Sequence, residues 1–116
     1  MTALAAARLG YRCHIFAPEA GGPAAQVSDT ETVASYDDPE SLARFAESVN
    51  VATFEFENVP VESIESLLAQ VPVFPGPKAL AAAQDRLVEK NFLRSIDIPT
   101  VPFQEANDPT ALRDAV

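Results

Sequence analysis

The stretch Val51-Ala52-Thr53-Phe54-Glu55-Phe56-Glu57-Asn58-Val59-Pro60 decides the fold class. It opens with strand-forming residues, Val51, Thr53, Phe54 and Phe56, and closes on two carboxylates, an asparagine and a proline. The composition predicts a buried strand over Val51–Phe56 that delivers acids to its C-terminal end, just before a helix. Open α/β sheets keep their ligands at such strand ends.

The flanking segments supply the helices. Asp37-Asp38-Pro39-Glu40 is a helix start: Asp38 caps, Pro39 fits the first turn, and the acids favour the positive end of the helix dipole. Leu42, Phe45, Ala46 and Val49 then recur at helical spacing. Beyond Pro60 the pattern returns in Ile64, Leu67, Leu68 and Val71, followed by a short strand at Val73-Phe74 and the turn Pro75-Gly76-Pro77. Upstream, Thr2–Leu9 is an alanine-rich helix that Gly10 stops in the left-handed conformation. Tyr11–Ala17 alternates as a strand, with Tyr11, Cys13, Ile15 and Ala17 on one face, and Glu31–Ser35 is a second short strand. Helix and strand alternate with short connections, which predicts a parallel sheet covered by helices.

Downstream, helices are expected over Lys78–Ala83 and Asp85–Ser95, separate or continuous. Ile98-Pro99-Thr100-Val101-Pro102 is an extended linker, because each proline biases its predecessor away from helix. A strand is expected to open at Phe103–Glu105 and a helix at Asp108-Pro109. The first helix has no strand before it and the last has no partner, so the chain reads as a fragment of a longer α/β protein.

Composition narrows the function classes. The 116 residues carry a net charge of -9, which argues against a nucleic-acid backbone or an anionic membrane surface as partner. No apolar run approaches the ~20 residues of a membrane span. Cys13 and His14 are the only residues of their types, so cysteine zinc clusters and two-histidine metal sites are excluded, and the cysteine usage fits a reducing cytoplasm.

A more specific signal comes from the order of several blocks: YRCHIFAPEA, PAAQV, YDD, LARFAESV, TFEFENVP, PGPKAL, AQDRLVEKNFL and IPTVPF. Together they resemble the N-terminal part of the 5-(carboxyamino)imidazole ribonucleotide synthases, ATP-grasp ligases of purine (IMP) biosynthesis. The resemblance covers nearly the whole chain. It implies a Rossmann-like, three-layer pre-ATP-grasp domain with a parallel sheet over residues 1–83. A linker helix and the beginning of an ATP-grasp domain follow over residues 84–116. It also implies that the family's first strand and glycine-rich turn lie outside this chain. In the family's sheet that strand sits between Tyr11–Ala17 and Val51–Phe56. Without it both strands have unpaired inner edges, at about 1 kcal/mol or more for each buried unpaired group, and the chain is prone to aggregate.

The implied reaction joins 5-aminoimidazole ribonucleotide, bicarbonate and ATP, with Mg2+ bridging the phosphates. The implied setting is a cytoplasmic enzyme, homodimeric at full length, with no nucleic-acid or membrane partner. The magnesium ligands and adenine pocket are expected beyond Val116, so the chain alone is expected to be inactive. The alternatives are the pre-domain of another ATP-grasp carboxylase or formyltransferase, or a non-catalytic α/β binding module.

The candidate site residues follow. Arg86, in Gln84-Asp85-Arg86-Leu87, matches the family's nucleotide-phosphate arginine; a guanidinium at a helix start can meet phosphate bidentately. The competing role is a surface arginine paired with Asp85 or Glu89. Lys90, one turn on, reads as a solvated lysine. Glu57, Asn58 and Glu55 are candidate substrate-binding residues: strand alternation places both acids on one side, where they could hold a cation, orient bicarbonate or bond a ribose. Their competing role is to accept backbone N–H bonds at the next helix start. Glu19 reads as an exposed loop acid, Cys13 as core, and Lys78 as part of a strand-to-helix turn.

Overall fold

The computed structural model describes Met1–Asp114, and the chain divides into two compact units, Met1–Pro77 and Lys78–Val116. The first unit opens with α1, Thr2–Arg8. Gly10 takes φ 84°, and Tyr11 N–H reaches back to Ala6 O at 3.0 Å, so the helix ends where its glycine predicts. β1, His14–Ala17, runs parallel to β2, Thr30–Val33, in the register His14↔Thr30 to Ala17↔Val33. The joining loop is fixed from both sides. The Asp29 carboxylate accepts from Cys13 N–H at 3.0 Å and from Arg12 Nε at 3.4 Å, and Glu31 accepts from Gly21 N–H. Both strands are shorter than expected. Tyr11 is spent on capping α1, and Arg12 and Cys13 on the Asp29 clamp, so pairing begins only at His14.

α2, Pro39–Ser48, starts as its sequence predicts: Asp38 accepts from Glu40 and Ser41 N–H, with Pro39 in the first turn. Its face Leu42, Phe45 and Ala46 is buried against α3, Val61–Leu68, whose Ile64 and Leu67 are also buried. The β1 side chains reach the same helix. Phe16 and His14 meet the Phe45 ring edge-on, at centroid distances of 5.4 and 5.0 Å, and Phe16 stacks on Tyr36. These contacts build an apolar core of Leu42, Phe45, Ala46, Ala52, Val59, Ile64, Leu67, Val71 and Val73. The two buried serines are satisfied. Ser41 donates to Asp38, and Ser63 to the Tyr36 carbonyl at 2.6 Å.

The Val51–Phe56 strand contracts to a parallel bridge between Ala52 and Val73. Ala52 N–H donates to Pro72 O at 2.9 Å, and Phe74 N–H donates to Ala52 O at 3.0 Å. Strand-forming side chains favour extended backbone, but a ladder needs a partner strand. Here the chain bends at Glu55 and turns through Glu57-Asn58. Among the described residues no ladder joins β1 to the Ala52 segment. The architecture is α/β with parallel strand pairing.

The second unit holds α4, Pro77–Gln84, from its second residue on, then α5, Arg86–Ser95, and α6, Pro109–Asp114. α4 and α5 are separate helices. Asp85 breaks them apart with φ −117° and ψ 126° and accepts from Leu87 and Val88 N–H at 2.9 and 2.8 Å. α5 closes on Asp97 at φ 58°, with Ile98 N–H bonded to Leu93 O. The strand expected at Phe103–Glu105 does not form; residues 101–107 are irregular and find no ladder partner among the described residues. α6 forms where expected, with Asp108 accepting from Thr110 and Ala111 N–H.

Candidate functional site

Two places carry the residues singled out in the sequence, one in each unit. In the first unit Glu55, Glu57 and Asn58 are all exposed, on the segment that leaves the Ala52 bridge. The bend at Glu55 ends the regular alternation, so alternation no longer sets the sides on which Glu55 and Glu57 lie. Glu55 does accept a helix N–H, but from a different helix than expected. Its Oε1 takes Thr2 N–H at the start of α1, 3.0 Å away and 53 residues distant in sequence. α3, the next helix, has Pro60 at its N-cap, and that residue offers no side-chain cap. A carboxylate at a helix start also meets the positive end of the helix dipole.

His14 is held in three ways. Its Nε2 lies 2.8 Å from Thr32 Oγ1, its Nδ1 lies 2.9 Å from Ser48 Oγ, and its ring abuts Phe45. Burial lowers its pKa from the ordinary 6.5. Glu19 and Lys78 are exposed, and Cys13 is half-buried rather than core.

In the second unit a cavity of about 450 Å³ is lined by Asp85, Arg86, Leu87, Lys90 and residues 103–107. The Asp85 cap fixes the start of α5, so Arg86 is the first helical residue and Lys90 follows four positions on, over the same face. Arg86 is largely exposed and pairs with Glu89. Lys90 is half-buried. Phe103 lines the cavity, and Arg94 lies over its ring, 3.9 Å from the centroid. The cavity therefore offers two cations, one aromatic ring and the carboxylates of Asp85 and Glu105. Sequence reasoning singled out Arg86, read Lys90 as a solvated lysine and read Phe103 as the start of a strand; the structure puts all three on one cavity wall. The available signal was the four-residue spacing from Arg86 to Lys90. Among the described residues no three histidine, cysteine or acidic side chains converge as a metal cluster would require.

Comparisons with known proteins agree with this fold. Residues 1–84 match the family described as the ribonucleotide synthetase preATP-grasp domain. The chain is 47% identical over 112 residues to the N5-carboxyaminoimidazole ribonucleotide synthase of Brucella melitensis, covering 97% of this chain and 31% of that protein. It is 47% identical over 116 residues to the bifunctional purine synthesis protein purC/E of Dictyostelium discoideum, covering all of this chain and 12% of that one. Among solved structures, the ADP complex of an N5-carboxyaminoimidazole ribonucleotide synthetase superposes with a TM-score of 0.87 at 34% identity, over 97% of this chain and 30% of that one. The synthetase from Thermus thermophilus superposes at 0.84 with 40% identity, over 97% and 31%. The chain thus spans less than a third of the length of these relatives. It belongs to the N5-carboxyaminoimidazole ribonucleotide synthase family, and its residues 1–84 carry the ribonucleotide synthetase preATP-grasp domain.

Proposed function

We propose that this chain supplies the pre-ATP-grasp part of an ATP-dependent carbon–nitrogen ligase that carboxylates 5-aminoimidazole ribonucleotide in purine biosynthesis. The observation that carries the reading is the 47% identity to the Brucella synthase, sustained over 112 residues. In the proposed reaction a bicarbonate oxygen attacks the terminal phosphorus of ATP and ADP leaves. The substrate amine then attacks the carboxyl carbon of the resulting carboxyphosphate and releases phosphate. Charge neutralisation and positioning dominate such transfers, and Mg2+ supplies part of that neutralisation when bound.

Arg86 is the proposed contact to nucleotide phosphate. Its exposed guanidinium at the start of α5, on a cavity wall, supports the role, as do relatives solved as ADP complexes. Glu57, Asn58 and Glu55 are the proposed wall for the ribonucleotide and bicarbonate. Their exposure where the chain leaves the Ala52–Val73 bridge supports that placement. The functional boundary is proposed at residues 83 and 84, the enzyme is placed in the cytoplasm, and the full-length assembly is proposed as a homodimer. The chain alone is expected not to turn over.

A chimera tests the reading. Residues 1–116 replace the matching segment of the Brucella synthase, and ADP release dependent on aminoimidazole ribonucleotide is measured. Retained turnover is expected, together with none from the isolated chain. A folded chimera without turnover overturns the proposal.

A further inference from the structure

We propose that Lys90 is a second anion-binding cation beside Arg86, and that Glu89 is an internal counter-ion which a bound phosphate group displaces. The inference deepens the nucleotide reading of Arg86 and rests on it for the identity of the ligand, but not for the existence of the anion site.

The two cations differ in their surroundings. Arg86 is exposed and already paired with Glu89, three residues on. Lys90 is half-buried, lines the same cavity, and makes no ion pair among the described residues. An ammonium on the cavity wall without a carboxylate partner gives a bound anion a second cation to meet. The acids on the wall make no ion pair with Lys90 among the described residues, and each is engaged elsewhere through one oxygen. Asp85 Oδ1 is spent on Leu87 and Val88 N–H, and Glu105 Oε1 accepts from Asn107 Nδ2 at 3.0 Å. Those same bonds occupy the N–H groups at the helix start, so the anion meets side-chain cations rather than free amides. Leu87 and Phe103 furnish an apolar stretch of wall. Two cations four residues apart on one wall fit the phosphate end of a nucleotide.

The arrangement makes an asymmetric demand on Glu89. In the free protein it neutralises Arg86; in the bound state it competes with the anion for the same guanidinium. Removing its charge therefore strengthens anion binding, whereas a residue that merely held Arg86 in place would weaken binding when changed.

The test is calorimetric titration of the chain at low salt with two probes, inorganic tripolyphosphate and ADP, with circular dichroism confirming that each variant is folded. Lys90→Met and Arg86→Met are each expected to weaken tripolyphosphate about tenfold, the equivalent of one lost charge-assisted contact. Lys90→Arg retains binding, and Glu89→Gln tightens it. Arg86-dependent binding that ignores Lys90→Met overturns the inference and leaves the nucleotide reading standing. Tripolyphosphate binding through both cations, with no binding of ADP, supports the anion site and removes the nucleotide reading. No tripolyphosphate binding by the unmodified chain, or weaker binding by Glu89→Gln, overturns the proposal.

Discussion

His14 Nδ1 lies 2.9 Å from Ser48 Oγ, and this contact ties β1 to the last turn of α2. The Ser48 hydroxyl proton is committed to the Phe45 carbonyl at 2.7 Å, so Ser48 Oγ accepts and His14 Nδ1 donates. Nε2 is then the acceptor for the Thr32 hydroxyl, 2.8 Å away. The neutral imidazole satisfies both bonds. Burial favours the same neutral form and lowers the pKa below 6.5. A histidine whose folded pKa is depressed binds fewer protons folded than unfolded, so stability rises with pH across that interval. The contribution is complete above pH 6.5 and is lost as pH falls toward the lowered value. Urea midpoints at about pH 5.5 and about pH 7.5 should differ in the parent chain, and the difference should shrink in His14→Gln.

Asp38 gives a second pH dependence, in a more acidic window. The Ser41 hydroxyl is the largest cause of its lowered pKa; the N–H groups of Ser41 and Glu40 and the charge of Arg44 add to it, while burial opposes them. A depressed carboxylate contributes stability above its ordinary 3.8, and that contribution is lost as pH falls through the folded value. Asp38→Asn keeps an N-cap acceptor and should flatten the acid limb of the stability profile, while Asp38→Ala should lower the urea midpoint at neutral pH.

The helix signals were legible because they are local. Asp38 and Pro39 start α2, Gly10 stops α1, and Leu42, Phe45 and Ala46 are buried as their spacing predicts. The Val51–Phe56 strand was not, because side-chain preference marks extended backbone but not the neighbour that makes it a ladder; only Ala52 finds one. The Glu55 contact to Thr2 was equally hidden, since it spans 53 residues. Arg86 was singled out by the family resemblance, since its place at a helix start equally suits a surface arginine paired with Glu89. The cavity that Lys90 lines is completed by the irregular segment 103–107, whose path no periodicity encodes.

Asp97 holds φ 58° where α5 closes, with Asp97 N–H bonded to Arg94 O at 3.1 Å and Ile98 N–H to Leu93 O at 2.9 Å. Glycine occupies this left-handed position without the Cβ penalty that other residues carry. Asp97→Gly should stabilise the second unit by about 1 kcal/mol, read as a higher midpoint in thermal or urea unfolding. Asp97→Val should destabilise it, because a β-branched side chain tolerates positive φ poorly.

Asp85 serves two roles that substitution can separate. Its carboxylate caps α5 through Leu87 and Val88 N–H, and it also lines the cavity that holds Arg86 and Lys90. Asparagine caps about as well as aspartate, so Asp85→Asn should leave the unfolding midpoint nearly unchanged. It removes a negative charge beside the two cations, so tripolyphosphate should bind a few-fold more tightly. Asp85→Ala removes that charge too, but it leaves two helix N–H groups without their acceptor and should cost about 1 kcal/mol of stability. Comparing unfolding midpoints and tripolyphosphate affinities across the three proteins resolves the roles. If affinity follows the loss of charge in both variants while stability falls only in Asp85→Ala, the carboxylate acts on the anion electrostatically and on the helix as a cap. If affinity instead falls with stability, the cap positions Arg86 and the charge is immaterial.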